Sequence, residues 1–346
     1  MRAAVLYGHG GVEALQIVDD LPTPEPGIGE VRLRMNAVAL NRLDLFVREG
    51  WKGLTLKTPH VVAADGAGVV DSVGAGVTQL TPGDRVCIDP TFVPQACADA
   101  LAGRENLCDD MAILGEHVGG VAAEYVVLPA RNLLKMPDEF GFAEAAAAGL
   151  AFVTAWHSLV TRGGLRAGES VLIVGASGGV ATASIQIAKL AGATVYVVGS
   201  DAAKCAEAEA LGADITINRA TEENWSKALF SLTGRQGVDV VVDNVGAATL
   251  FSSIRAVKKG GRILIVGATS GPKIDLDIRY LFAKQISLIG STMGPHSDYT
   301  RVMRLIFKGK LKPVIGARLP LAEIREGHRL LEAGEAFGKI VLELDS

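Results

Sequence analysis

The hydrophobic and polar positions along this chain follow two rhythms. In EVRLRMNAVAL (30–40), Val31, Leu33, Met35 and Ala37 alternate with Arg32, Arg34 and Asn36. A period of two puts each set on one face of a pleated backbone, so the segment is predicted to be a half-buried strand. The clusters PTPEPGIGE before it and TPGD (81–84) supply the Pro and Gly that tight turns require. Strands punctuated in this way predict an all-β barrel or sandwich over roughly the first 130 residues.

From about residue 165 the rhythm changes. SVLIVG (170–175) is a short continuous apolar run, expected of a parallel strand buried on both faces. GGVATASIQIAKLAGA then brings Val180, Ala183, Ile187 and Ala191 onto one helical face. TVYVV (194–198), a helix from Asp201, ITIN, VDVVVD (238–243) and GRILIVG (261–267) continue the alternation of strand and helix. That order predicts an α/β fold with a doubly wound parallel sheet and right-handed crossovers. After residue 300, YTRVMRLIFKGK has the pattern of a helix and GKIVLEL that of a strand. Neither extends the parallel sheet, so the C-terminal segment is expected to return to the first domain.

Length and composition narrow the class. A chain of 346 residues can bury two cores. With 49% hydrophobic residues and a net charge of −4, it lacks the basic surplus that binds nucleic acid or anionic membrane. The apolar stretch AAAAGLAFVTAW (145–156) is short and rich in small residues, and is expected to be a buried helix. Residues 1–20 show no secretory pattern, so a cytoplasmic location is expected, with Cys87, Cys97, Cys108 and Cys205 as reduced thiols.

Candidate chemistry begins at VGASGGVA (174–181), where a strand turns into a helix. Small residues there let backbone N–H groups and the helix N-terminus approach a pyrophosphate. Ala176, Gly178, Gly179 and Val180 are the candidates, although Ala176 breaks the strict glycine pattern at its first position. At the end of the second strand, NAD-specific sites carry an acid for the ribose hydroxyls. Gly199 stands there, followed by Ser200 and Lys204, which favours the 2′-phosphate of NADPH. A one-residue shift in register would instead bring Asp201 to that place and favour NAD.

Taken together, these segments resemble the medium-chain dehydrogenase/reductase superfamily nearly end to end. The similarity runs through NRLDL, ADGAGVVDSVGAGV (64–77), PGDRV (82–86), GRENLC, GEHVGGVAAEYVVLPA (115–130), TAWHSL (154–159) and FGKIVL (337–342). It implies a GroES-like β domain, residues 1–150 with 294–346, and a Rossmann dinucleotide-binding domain, residues 151–293. It also implies a substrate cleft between the two, walled by Phe46, Trp51, Phe92 and Met293. A homodimer through residues 274–290 is the implied assembly, with a tetramer as the alternative.

Zinc-dependent members of the family carry ligands where Asn41, Ala64 and Leu150 stand here. Two of these have no donor atom, so no catalytic zinc is expected. The segment PQACADALAGRENLC (94–108) resembles the family's structural-zinc loop, with Pro94 and Ala100 in place of two cysteines. Cys97 and Cys108 there are left as the ends of a metal-free loop, a disulfide, or a weak metal site completed by Asp99.

Zinc-free relatives are quinone oxidoreductases or reductases of activated C=C bonds (enals, enones, enoyl thioesters), and NADPH is the implied cofactor. The resemblance places Asn41, Asp44, Asp65 and Thr154 at the reacting centre. It places Arg42 and Lys339 on the pyrophosphate, and Thr154, Gly267, Ala268 and Ser291 around the nicotinamide. An alcohol or aldehyde dehydrogenase, and a nucleotide-binding redox sensor with little turnover, are the alternative functions.

Overall fold

The alternating segment forms strand Glu30–Leu40, with Val31, Leu33, Met35 and Ala37 buried in the core. The computed structural model describes residues 1–94 and 97–344 and divides into two units, Met1–Val153 with Gly294–Ser346, and Thr154–Met293.

In the first unit, Glu30–Leu40 is central to a seven-stranded sheet. Asp65–Val73, Arg85–Ile88 and Leu133–Lys135 follow in order on one side, Lys339–Glu343 and Ile315–Pro320 on the other, and Tyr125–Pro129 also pairs with Glu30–Leu40. The tail therefore returns to the first unit, as the sequence pattern predicted. Its strand is antiparallel, with Ile340 opposite Leu40 and Leu342 opposite Val38. On the other side, Ala39 lies opposite Asp65. These two registers bring Asn41, Asp65 and Lys339, far apart in the chain, to one end of three neighbouring strands. Leu33, Met35, Val86, Leu114, Ile340 and Leu342 belong to the hydrophobic core of this unit.

Helix Phe142–Trp156 contains the expected apolar segment, and Ala145–Ala148, Phe152 and Val153 are buried. The helix is interrupted at Gly149, whose backbone is not helical. A Cβ on that glycine would collide with the Asp65 carboxylate, so the small residue permits a close approach.

The second unit is a six-stranded sheet, parallel throughout, in the order Ile215–Asn218, Thr194–Gly199, Ser170–Val174, Val238–Asp243, Val257–Ile265, Ser287–Gly290. The first five strands in chain order match the runs read from the sequence, and Ser287–Gly290 is added at the edge. Leu172, Val174, Val198, Val241 and Ile263 form its core with Trp225 and Leu229 from a covering helix. The chain order reverses between Ser170–Val174 and Val238–Asp243, and such a switch point opens a crevice at the carboxyl ends of the strands.

One expectation is corrected. Cys87 and Cys205 are free and buried, but Cys97 and Cys108 are joined by a disulfide. The loop is held together by a covalent bond between residues 11 apart. Gln95 and Ala96 of this segment lie outside the described residues.

Candidate active site

Asn41 precedes helix Arg42–Glu49 and is buried at the strand ends. Its backbone N–H donates to Asp44 Oδ2 at 2.6 Å, and its C=O accepts from the Asp44 N–H at 2.9 Å. This reciprocal exchange is the ordinary chemistry of a helix start. Nδ2 donates to Asp65 Oδ2 at 2.9 Å, and Oδ1 accepts from Lys339 Nζ at 2.5 Å. Lys339 Nζ also donates to Asp65 Oδ2 at 2.9 Å, closing a triangle. The Leu150 N–H donates to Asp65 Oδ1 at 2.6 Å, beside the interruption at Gly149.

Lys339 is 4% exposed and Asp65 0%, so this is a buried ion pair. Burial pushes the Asp44 carboxyl up to about 7, against the opposing pull of its hydrogen bond from Asn41 and of the Lys339 charge. The cluster thus holds one cation, one anion and a carboxyl that titrates near neutrality.

These residues do not fit a catalytic zinc. Both oxygens of Asp65 are engaged, Asn41 presents an amide already bonded on both atoms, and Ala64 offers no donor. Among the described residues, no group of three or more His, Cys, Asp or Glu side chains is placed to hold a metal ion. Cys97 and Cys108 cannot act as thiolate ligands while they are joined.

The second unit builds a different site at its switch point. Gly175 ends the first strand at φ +93°, a conformation that favours glycine, and helix Gly179–Leu190 begins after Gly178. A Cβ at Gly178 would meet no atom within 4 Å, so the helix N-terminus is open to a ligand. Asp243, at the end of the adjacent strand, accepts from the Val245 and Gly246 N–H groups and from the Thr249 and Ser253 hydroxyls. That shell fixes the loop and leaves Asn244 beside it with both amide atoms buried and, among the described residues, without a partner.

The Ser291 hydroxyl is also buried and, among the described residues, without a partner, while the Ser291 N–H donates to the Ile265 C=O. Gly267 lies so close to the Asn244 carbonyl that a Cβ would stand 2.7 Å from it, and Ala268 follows. The Thr154 hydroxyl, buried, donates to the Met293 sulfur at 3.9 Å. Open glycines, a helix N-terminus and desolvated polar atoms without partners fit a dinucleotide.

Asn244 was not singled out from the sequence. The available signal was an amide directly after VDVVVD, at the end of a strand bordering the switch point.

Ser200 and Lys204, expected at a 2′-phosphate, are brought together around Asp201. The Ser200 hydroxyl donates to Asp201 Oδ2 at 2.7 Å, Lys204 Nζ lies 3.6 Å from the same oxygen, and the Lys204 N–H donates to Oδ1. These bonds hold the Asp201 carboxyl below its ordinary range. Arg42 is exposed at the first position of its helix. Phe46 and Trp51 are also exposed, whereas Met293 is buried.

Residues 27–138 match the alcohol dehydrogenase GroES-like domain, and residues 179–308 match the family described as zinc-binding dehydrogenase. An acryloyl-coenzyme A reductase from Metallosphaera sedula is 30% identical, with 99% of each chain covered. The chain belongs to the medium-chain dehydrogenase/reductase superfamily. Human quinone oxidoreductase is 28% identical over 99% of this chain and 98% of its own. A crystal structure of an NAD-dependent alcohol dehydrogenase superposes with a TM-score of 0.96 at 48% identity, covering 100% of both chains. The chain is accordingly an oxidoreductase of the medium-chain type with a nucleotide-binding domain.

Proposed function

We propose that this protein is a zinc-independent, NADPH-dependent reductase of a quinone or of an activated C=C bond in an enal, enone or enoyl thioester. The observation that carries the reading is the Asn41–Asp65–Lys339 triangle, in which the amide at a position where zinc-dependent relatives carry a ligand is bonded to a buried ion pair. Without a Lewis acid, an alcohol or a simple carbonyl is poorly activated, whereas a conjugated acceptor needs only a donor for its oxygen. A bound reduced nicotinamide supplies the hydride. In the first unit Asn41 would donate to the acceptor oxygen; in the second, Gly178, Gly179, Asn244 and Ser291 would hold the dinucleotide and Thr154 would pack beside its nicotinamide. The acryloyl-coenzyme A reductase and quinone oxidoreductase relatives support this choice.

NAD-linked alcohol oxidation is the rival reading, favoured by the 48% identical relative and by the charge of Asp201 beside Ser200 and Lys204. One assay separates the two. Chelator-treated protein is expected to oxidise NADPH with a quinone, an enal or an enoyl-coenzyme A, and NADH more slowly. Activity only with NADH and an alcohol–aldehyde pair, restored by zinc, would replace this reading with the rival.

The same reading includes a homodimer. Strand Ser287–Gly290 is an edge of the parallel sheet, and helix Arg279–Lys284 before it exposes Phe282 (68%), with Ile278 (65%) just ahead. An open edge beside exposed apolar residues is suited to pairing with a second copy. Sedimentation velocity is expected to show a dimer that Phe282→Asp shifts toward monomer; an unchanged dimer would locate the interface elsewhere.

A further inference from the structure

We propose that Lys339 and Asp65 are positioning residues that turn the Asn41 carboxamide into a strengthened hydrogen-bond donor for the substrate oxygen. This inference rests on the reductase reading and deepens it.

A primary amide can present either its oxygen or its nitrogen, and here both ends are assigned by their neighbours. Oδ1 can only accept, and the Lys339 ammonium can only donate, so their contact at 2.5 Å sets the flip. Nδ2 correspondingly faces the Asp65 carboxylate, an acceptor, at 2.9 Å. One Nδ2 hydrogen is used in that bond and the second remains. Its direction is fixed because the amide plane is pinned at both ends.

The Lys339 contact also changes the strength of that donor. An ammonium bonded to an amide oxygen draws electron density from the nitrogen, so the remaining N–H becomes more positive. Chains of hydrogen bonds in a low-dielectric interior reinforce one another in this way. Lys339 thus polarises Asn41 from behind, and Asp65 keeps the buried charge balanced. In conjugate reduction, the β-carbon gains the hydride and the C=C electron pair moves to a new C=C bond toward the carbonyl carbon. The carbonyl π pair becomes the oxyanion, and a solvent proton then adds at the α-carbon. The oxyanion is where the remaining Asn41 N–H acts. A buried ion pair is a weak source of stability against apolar replacement, which is consistent with a role in orientation.

The test is a cycle of three chains: Asn41→Ala, the charge-neutral pair Lys339→Met with Asp65→Asn, and all three changes together. With an enoyl-coenzyme A and NADPH, each of the first two is expected to lower kcat by about 10²-fold. Nucleotide affinity, read by NADPH fluorescence, is expected to stay within about threefold. The triple change is expected to be no slower than either, because Lys339 acts through Asn41. Multiplicative losses would overturn the proposal. A nucleotide dissociation constant raised more than tenfold with kcat intact would also overturn it, by placing Lys339 on the pyrophosphate.

If the neutral pair fails to fold, Lys339→Arg keeps the charge and is expected to retain kcat within about tenfold, whereas Lys339→Gln loses it; equal rates would overturn the proposal. A wild-type chain inactive on every acceptor would refute the reductase reading alone. The positioning role is then judged by the side-chain amide resonances of 15N-labelled asparagine. A large separation of the Asn41 pair that collapses in the neutral-pair variant supports it, and no change overturns it.

Discussion

Asp65→Asn is expected to destabilise the first unit by about 3–5 kcal/mol, the cost of breaking a buried ion pair on one side. The substitution keeps the shape that Gly149 accommodates and removes only the charge and part of the acceptor capacity. Lys339, 4% exposed, would lose its counter-ion, and the Asn41 amide and the Leu150 N–H would compete for a single amide oxygen. Adding Lys339→Met is expected to recover most of the loss, since it removes the uncompensated cation. Urea unfolding midpoints of the wild type, the two single variants and the double variant test this. A double variant as unstable as Asp65→Asn would show that the charge was not what that site required.

The second large effect is a pair of opposing pH dependences. His328 is fully buried on helix Ile324–Ala333, and neither ring nitrogen has a partner among the described residues. Burial and the neighbouring Arg48 charge push it down to about 3. Its folded-state pKa lies below the ordinary 6.5, so the unfolded chain takes up the proton first. Stability is therefore lost as pH falls from 6.5 toward 3, at about 1.4 kcal/mol per pH unit.

Asp44 runs the other way. Its pKa is raised from 3.8 to about 7, so the folded state holds the proton more tightly and stability is lost as pH rises from 3.8 toward 7. Between pH 4 and 6.5 the two slopes nearly cancel, both being about 1.4 kcal/mol per unit with opposite sign. Asp44→Asn is expected to expose the His328 slope, a steady loss below pH 6.5. His328→Leu is expected to expose the Asp44 slope, a gain as pH falls from 7 to 4. Denaturant midpoints across pH 4–8 measure both, and parallel curves for all three chains would refute the assignments.

Much of the fold was legible because its signals are local. Alternation in EVRLRMNAVAL follows from successive side chains pointing to opposite faces, and SVLIVG and VDVVVD are continuous because a central parallel strand has no wet face. All three form the expected strands. The site was legible in part. Asn41 and Asp65 were expected together and are hydrogen bonded. Lys339 is expected at a pyrophosphate, and in the structure its ammonium donates to Asn41 and Asp65, contacts the sequence does not indicate. Ser200 and Lys204 are of a type that suits a phosphate, and in this chain they gather around Asp201, a contact that residue type alone does not specify. Asn244 escaped notice because an unpartnered amide becomes visible only when its surroundings are known.

By itself, the sequence determined the two kinds of sheet, the glycine turn at 174–181, and the lack of metal donors at Ala64 and Leu150. Each depends on residue type and on spacings of a few residues, where backbone sterics and side-chain chemistry act without distant partners. Tertiary structure alone decided the rest. Lys339 meets Asn41 across 298 residues because the final strand pairs with Leu40 in one register. A shift of one residue in that register would turn the lysine to the other face of the sheet. The pairing of Cys97 with Cys108 and the raised pKa of Asp44 arise in the same way, from loop closure and burial that no local pattern encodes.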